Sequence, residues 1–232
     1  MNIEIFLSGF LFLFILVLNL AMAAFGYINA EQTISSDAQT QNSDAELQKI
    51  NKNGSRKFQI SVALALIEHG CVVALAIMLF LVFSPYNIIL GIVCVIFRTG
   101  EGLIQFYNEK NYWGLLNIAK KYSSTSGAEK KSLSESGRTI LNTKDSRFKF
   151  AMILWSIGTL AYSIVLVTYG VNPIIGWLGI VASIFIGFGN GTKLVKPKIK
   201  VFETLSTIGG LLAIVFEVFI GGWLIFYSLI IP

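Results

Sequence analysis

Six apolar runs divide the chain: Ile3–Ile28, Phe58–Phe83, Tyr86–Tyr107, Phe148–Tyr169, Pro173–Gly191 and Leu205–Leu229. At 1.5 Å of rise per residue, each is long enough to cross a hydrocarbon core of ~30 Å. Inside lipid the backbone must satisfy its own hydrogen bonds, and for a single run of this length only a helix does so. The pattern therefore predicts an all-α polytopic membrane bundle with six transmembrane helices. Ser84-Pro85-Tyr86 and Gly170-Val171-Asn172-Pro173 are too short to be anything but turns, so each joins two antiparallel helices. The expectation is one membrane domain over residues 1–232, with polar loops at 29–57 and 108–147.

The connections differ sharply in charge. Of 18 Lys and Arg residues, four lie in Asn29–Lys57, nine in Asn108–Lys149 and four in Lys193–Lys200. The other two connections carry none. With six spans, the three basic loops share one side. The positive-inside rule makes that side the cytoplasm and puts both termini outside, as in a multi-pass protein of the cell membrane. Ala21-Met22-Ala23 has the small-residue spacing of a cleavage site, but Glu4 stands where a signal peptide carries basic residues, so the first run reads as a retained span.

Asn29–Lys57 has no apolar period and reads as disordered or a loose cap. Tyr112–Lys121 has an apolar face and reads as an interfacial helix anchored by Trp113. Ser123–Ser136 reads as a solvated, flexible stretch. The composition agrees with a bilayer setting: 54% of residues are hydrophobic and only 13% charged, against about 25% charged in soluble domains. The basic residues lack the interleaved aromatics of a nucleic-acid binder, so lipid is the expected surroundings and no nucleic acid is expected.

Charges within the runs therefore ask for a reason. Glu68 and His69 lie in the second, Arg98 and Glu101 in the third, and Glu217 in the sixth. Counted from the run ends, Glu68, Arg98 and Glu217 lie about 15, 12 and 18 Å deep in a ~30 Å core. Three helices thus bring a charge to one layer. Cys94, Arg98, Glu101 and Gln105 recur at helical spacing, so the third span carries a polar stripe that must face protein or water. Ser206, Gly210, Ala213, Glu217 and Gly221 share a face of the sixth span. Gly176, Gly179, Ser183, Gly187 and Gly191 form a ridge on the fifth, a seam for close helix packing.

Two readings of the layer stay open. In one, Arg98 is an internal counter-ion that fixes helix packing. In the other, three carboxylates facing one guanidinium and one imidazole leave excess negative charge, which a proton, cation or small-molecule ligand must offset. No ExxH spacing accompanies the single histidine, so no metal is expected. Neither a nucleophile elbow nor a P-loop occurs, so no catalytic residues and no cofactor are expected. Transport or sensing, a structural or partner-binding subunit docking through 108–147, and a membrane enzyme are the three classes in play.

The chain resembles a prokaryotic family of six-helix membrane proteins, domain of unknown function 4386. The likeness lies in Ile96-Phe97-Arg98, in Gly170-Val171-Asn172-Pro173-Ile174-Ile175-Gly176-Trp177-Leu178-Gly179, and in Phe216-Glu217 with Gly222-Trp223-Leu224. Glu68 stands where the family has an acidic residue in the second span. The resemblance covers roughly Phe58 to Phe226, and Tyr122–Lys149 departs from it by being more polar. It implies the six-helix fold and the charged positions, and no activity.

Overall fold

A computed structural model describes residues 2–25, 38–53, 55–196 and 200–230, and these are almost entirely helical. The helices are α1 (Ile3–Ala24), α2 (Ala38–Asn53), α3 (Ser55–Phe83), α4 (Ile88–Trp113), α5 (Leu115–Ser124), α6 (Gly127–Thr168), α7 (Pro173–Val195) and α8 (Lys200–Ile230). The chain is an all-α membrane protein. Six of its helices are long and apolar enough to cross a bilayer: α1, α3, α4, α6, α7 and α8. The described residues form two compact units. The first comprises Met1–Val17, Glu68–Leu103 and Lys149–Pro232; the second comprises Leu18–Ile67 and Ile104–Phe148.

In the first unit, lipid-type surface and core sort by helical face. On α4, Ile89, Ile92, Ile96 and Leu103 are exposed along one stripe, while Cys94, Arg98 and Glu101 are buried on another. This inverts the pattern of a soluble helix, because the surroundings are apolar and the interior holds the polar groups. The core gathers around Tyr162 of α6, which stacks on Phe83 and Phe216 at ring distances of 5.7 and 5.9 Å. Glycines set the closest approaches. A Cβ on Gly179 would collide with Ser163 and Phe216, and one on Gly187 with Ser156. The ridge on the fifth span thus packs chiefly on α6. The face of α8 is shared: Ser206 lies against Gly189 of α7, and Gly221 against Phe12 and Leu13 of α1.

One end of this unit is aromatic and, among the described residues, carries Glu4 of α1 but no basic side chain. Asn2, Asn87 and Asn172 cap α1, α4 and α7, their side-chain oxygens accepting from the backbone N–H groups of Ile5, Leu90 and Ile175 at 3.1, 3.1 and 3.2 Å. Pro173 at the first turn of α7 and Gly170 at φ +65° make the tight exit from α6. Tyr86 packs on Tyr169 at 5.8 Å, and Trp223 stacks on Tyr227 at 4.7 Å. These rings match the aromatic belts that mark a membrane interface.

The second unit departs from the expected loops. Residues 26–28 at the end of the first run, 29–37 and 54 of the first loop, and 197–199 of the third basic loop lie outside the described residues. Yet residues 38–53, expected to be mostly disordered or a loose cap, form α2. Its Leu47 and Ile50 are buried with Tyr112, Leu115, Leu116 and Leu141. Residues 127–136, expected to be flexible, begin the 42-residue α6. At 1.5 Å per residue α6 is about 63 Å long, twice a ~30 Å core. Its early turns gain stability from packing: Gly137 lets α2 approach, with Leu47 lying 3.1 Å from where a Cβ would stand. Ser134 also donates a short hydrogen bond of 2.5 Å to Asp44. The same contacts correct the reading of α5. Its apolar residues Leu115, Leu116, Ala119 and Tyr122 are buried in protein, so they are not offered to lipid.

Candidate functional site

The charged residues of the spans lie together in the first unit. Arg98 is 2% exposed and Glu101 6%. They sit one turn apart on α4, and Arg98 Nη1 donates to Glu101 Oε2 at 2.6 Å. On α3, His69 Nδ1 contacts Glu68 Oε2, and both side chains are buried. Gly102 brings α4 against α3 at this level, since a Cβ there would meet the His69 carbonyl oxygen at 3.2 Å and Val73 at 2.8 Å. Cys94 is buried in the hydrophobic core. Gln105 is only half-buried and belongs to the second unit.

Helix α6 completes the layer with residues that were not expected. Trp155, Gly158, Thr159 and Tyr162 follow helical spacing and present one face. Arg98 lies over the Trp155 ring at 5.8 Å. Its stem runs across Gly158, where a Cβ would stand 2.7 Å from Arg98 Cγ and 3.1 Å from Cδ. Trp155 Nε1 donates to Glu217 Oε1 at 3.3 Å. Glu217, on α8, is half-buried. Trp155 therefore touches both Arg98 and Glu217, and links α4 to α8 through α6. The sequence signal for it was weak, because a tryptophan in an apolar run reads as core.

Electrostatics ranks the three carboxylates. Glu101 has a guanidinium in direct contact, and Glu68 has the His69 ring. Glu217 receives one hydrogen bond among the described residues, from a neutral indole. If His69 carries a proton, three carboxylates still face two cations. In a low-dielectric interior such an imbalance is costly, so the layer favours taking up positive charge.

A second buried charge lies in the second unit. Lys144 precedes the apolar run that starts at Phe148. Its Nζ stands 3.6 Å from Glu109 Oε1 and 3.2 Å from the centre of the Tyr112 ring. Asn108 Nδ2 donates to the Lys144 carbonyl at 3.1 Å. Burial lowers the amine to about 8, against the opposing pull of Glu109 and Glu46. Glu46 is itself raised by burial.

Six apolar helices around a buried layer of charge define a polytopic membrane protein with an ionisable core. The chain belongs to the family described as Domain of unknown function (DUF4386), whose model matches residues 7–227. The match reaches further toward the N-terminus than the motifs after Phe58, and takes in α1 from Leu7 onward and all of α2. No curated protein and no solved structure matches the chain.

Proposed function

We propose that the layer is a proton- or cation-exchange site serving transport or sensing of a small solute or ion, and that Glu217 is the exchanging group. The observation that carries this is the pairing pattern. Two carboxylates each have a basic side chain in contact, whereas among the described residues Glu217 meets the Trp155 indole, feels Arg98 only from a distance, and is the least buried of the three. A carboxylate so placed takes up a proton or small cation at little structural cost, because no existing ion pair has to break. Under this reading the protein sits in the cell membrane with its basic loops in the cytoplasm, as the charge asymmetry requires.

The test is proton flux, with a cation and ligand screen, on purified protein in liposomes. Glu217→Gln is expected to abolish exchange while leaving the fold intact, and Glu101→Gln to weaken it by disturbing Arg98. If both variants fold and both match wild type in every flux and binding measurement, the exchange reading is lost. The layer would then be a packing device.

A further inference from the structure

We propose that the corner formed by Arg98, Thr159 and Tyr162 is a hydration site, holding ordered water in the middle of the bundle. Arg98 is enclosed by protein, and its Nε–H meets no acceptor among the described residues. A guanidinium keeps its charge at any pH a protein survives, so this donor cannot be silenced by losing a proton. Thr159 and Tyr162 are likewise enclosed, at 0% and 1% exposure. Their hydroxyls lie near one another, one turn apart, but no hydrogen bond of good geometry joins them. Hydroxyls on a transmembrane helix commonly back-bond to the carbonyl four residues earlier. Thr159 does not, so its hydroxyl stays available to a guest.

These atoms are brought together by the α6 face described above. The Arg98 stem crosses Gly158, Thr159 follows in sequence, and Tyr162 stands one turn further along, within electrostatic reach of Arg98. The donor set selects the guest. The guanidinium only donates, so the guest must accept; the hydroxyls both donate and accept, so it is best able to do both. An anion would be repelled by Glu101 and Glu217, and a bare cation, whatever the charge of the layer, has no lone pair with which to accept from the Arg98 Nε–H. Water meets each requirement and adds no charge to the layer. Buried waters typically make about three hydrogen bonds to groups that would otherwise go unpaired.

This inference does not depend on Glu217 exchanging anything. It is tested by solid-state NMR on ¹⁵N-arginine-labelled protein in liposomes, measuring magnetisation transfer from water to each arginine Nε–H. Arg98→Lys identifies the Arg98 signal among the four arginines. Strong transfer to Arg98 is expected in wild type. Thr159→Val combined with Tyr162→Phe should lower it by about threefold or more, since two of about three anchoring bonds are lost. Thr159→Ser, which keeps the hydroxyl, should retain it. Absence of transfer to Arg98 in folded wild type overturns the proposal, as does unchanged transfer in a folded Thr159→Val/Tyr162→Phe protein. Transfer in wild type, together with Glu217→Gln and Glu101→Gln variants that fold and match it in every flux and binding measurement, would sustain the hydration site and end the exchange reading alone.

Discussion

Gly158→Ala isolates how tightly α6 is fitted to the charged layer. The added Cβ would stand 2.7 Å from Arg98 Cγ, 3.1 Å from Cδ and 3.3 Å from the Arg98 backbone nitrogen. Ordinary contact begins at 3.4 Å, so the Cγ contact must open by 3.4 − 2.7 = 0.7 Å. The Arg98 stem has little freedom to yield. Its guanidinium is held by Glu101 and lies over Trp155, so the move falls on the helix axes or on those contacts. Overpacking of this kind costs about 1–3 kcal/mol. Replacing glycine by alanine in a helix returns up to about 1 kcal/mol through backbone entropy, so the net loss is about 0–2 kcal/mol. Gly222→Ala supplies the control, because nothing lies within 4 Å of its Cβ position. It gains the same propensity without the clash, and the two variants should differ by about 1–3 kcal/mol. Reversible unfolding in mixed micelles, followed by tryptophan fluorescence, measures that difference. Equal stabilities within about 0.5 kcal/mol, the scatter of innocuous changes, would refute the tight fit of Arg98 on α6.

Three further outcomes are expected. Ser132→Cys should react with a membrane-impermeant thiol reagent only after the cells are opened, and Tyr86→Cys in intact cells; the reverse pattern refutes the orientation. The Lys144 amine is lowered to about 8 from an ordinary 10.5, so between those values the unfolded chain holds a proton that the folded one has released. Stability therefore rises with pH across that window and is flat, for this group, below it. Unfolding from pH 7 to 10 should show a rise that Lys144→Met lacks, and equal slopes in the two proteins would contradict the assignment. Leu47→Ala removes a side chain with no exposed surface and should cost about 2–5 kcal/mol locally. Limited proteolysis should then cut within residues 38–53 of the variant faster than in wild type, and unchanged protection there would mean that Leu47 does not hold α2.

The membrane helices were legible because lipid imposes one rule on every span, and a run such as Pro173–Gly191, with no charged residue, obeys it without help from neighbours. The charged positions were legible for the same reason, since Arg98 stands out against isoleucine and valine. Trp155, Gly158 and Tyr162 were not. Their importance lies in what α6 packs against, and an aromatic or a glycine in an apolar run announces nothing of its partner. Two polar segments of the second unit were misread for a different reason. Helix α2 is polar and short, and draws its stability from burying Leu47 and Ile50 rather than from propensity. Leu133, Gly137, Ile140, Leu141 and Lys144 do follow a helical period, and that spacing was the available signal that α6 starts well before its apolar run.

The asparagine caps bear on how the chain enters the membrane during synthesis. A nascent helical hairpin must carry its connecting turn through the hydrocarbon, and every formal charge in that turn raises the barrier. An aspartate would cap a helix as well as asparagine and would favour its positive end, but it would have to be dragged across at about 2.5–3.5 kcal/mol. Asn87 and Asn172 supply the same hydrogen bond from a neutral side chain. The Ser84–Asn87 and Gly170–Asn172 turns, with no ionised group between them, are therefore cargo that translocation machinery can pass cheaply. In the proposed orientation, the basic loops are ballast that keeps the opposite ends where they were made.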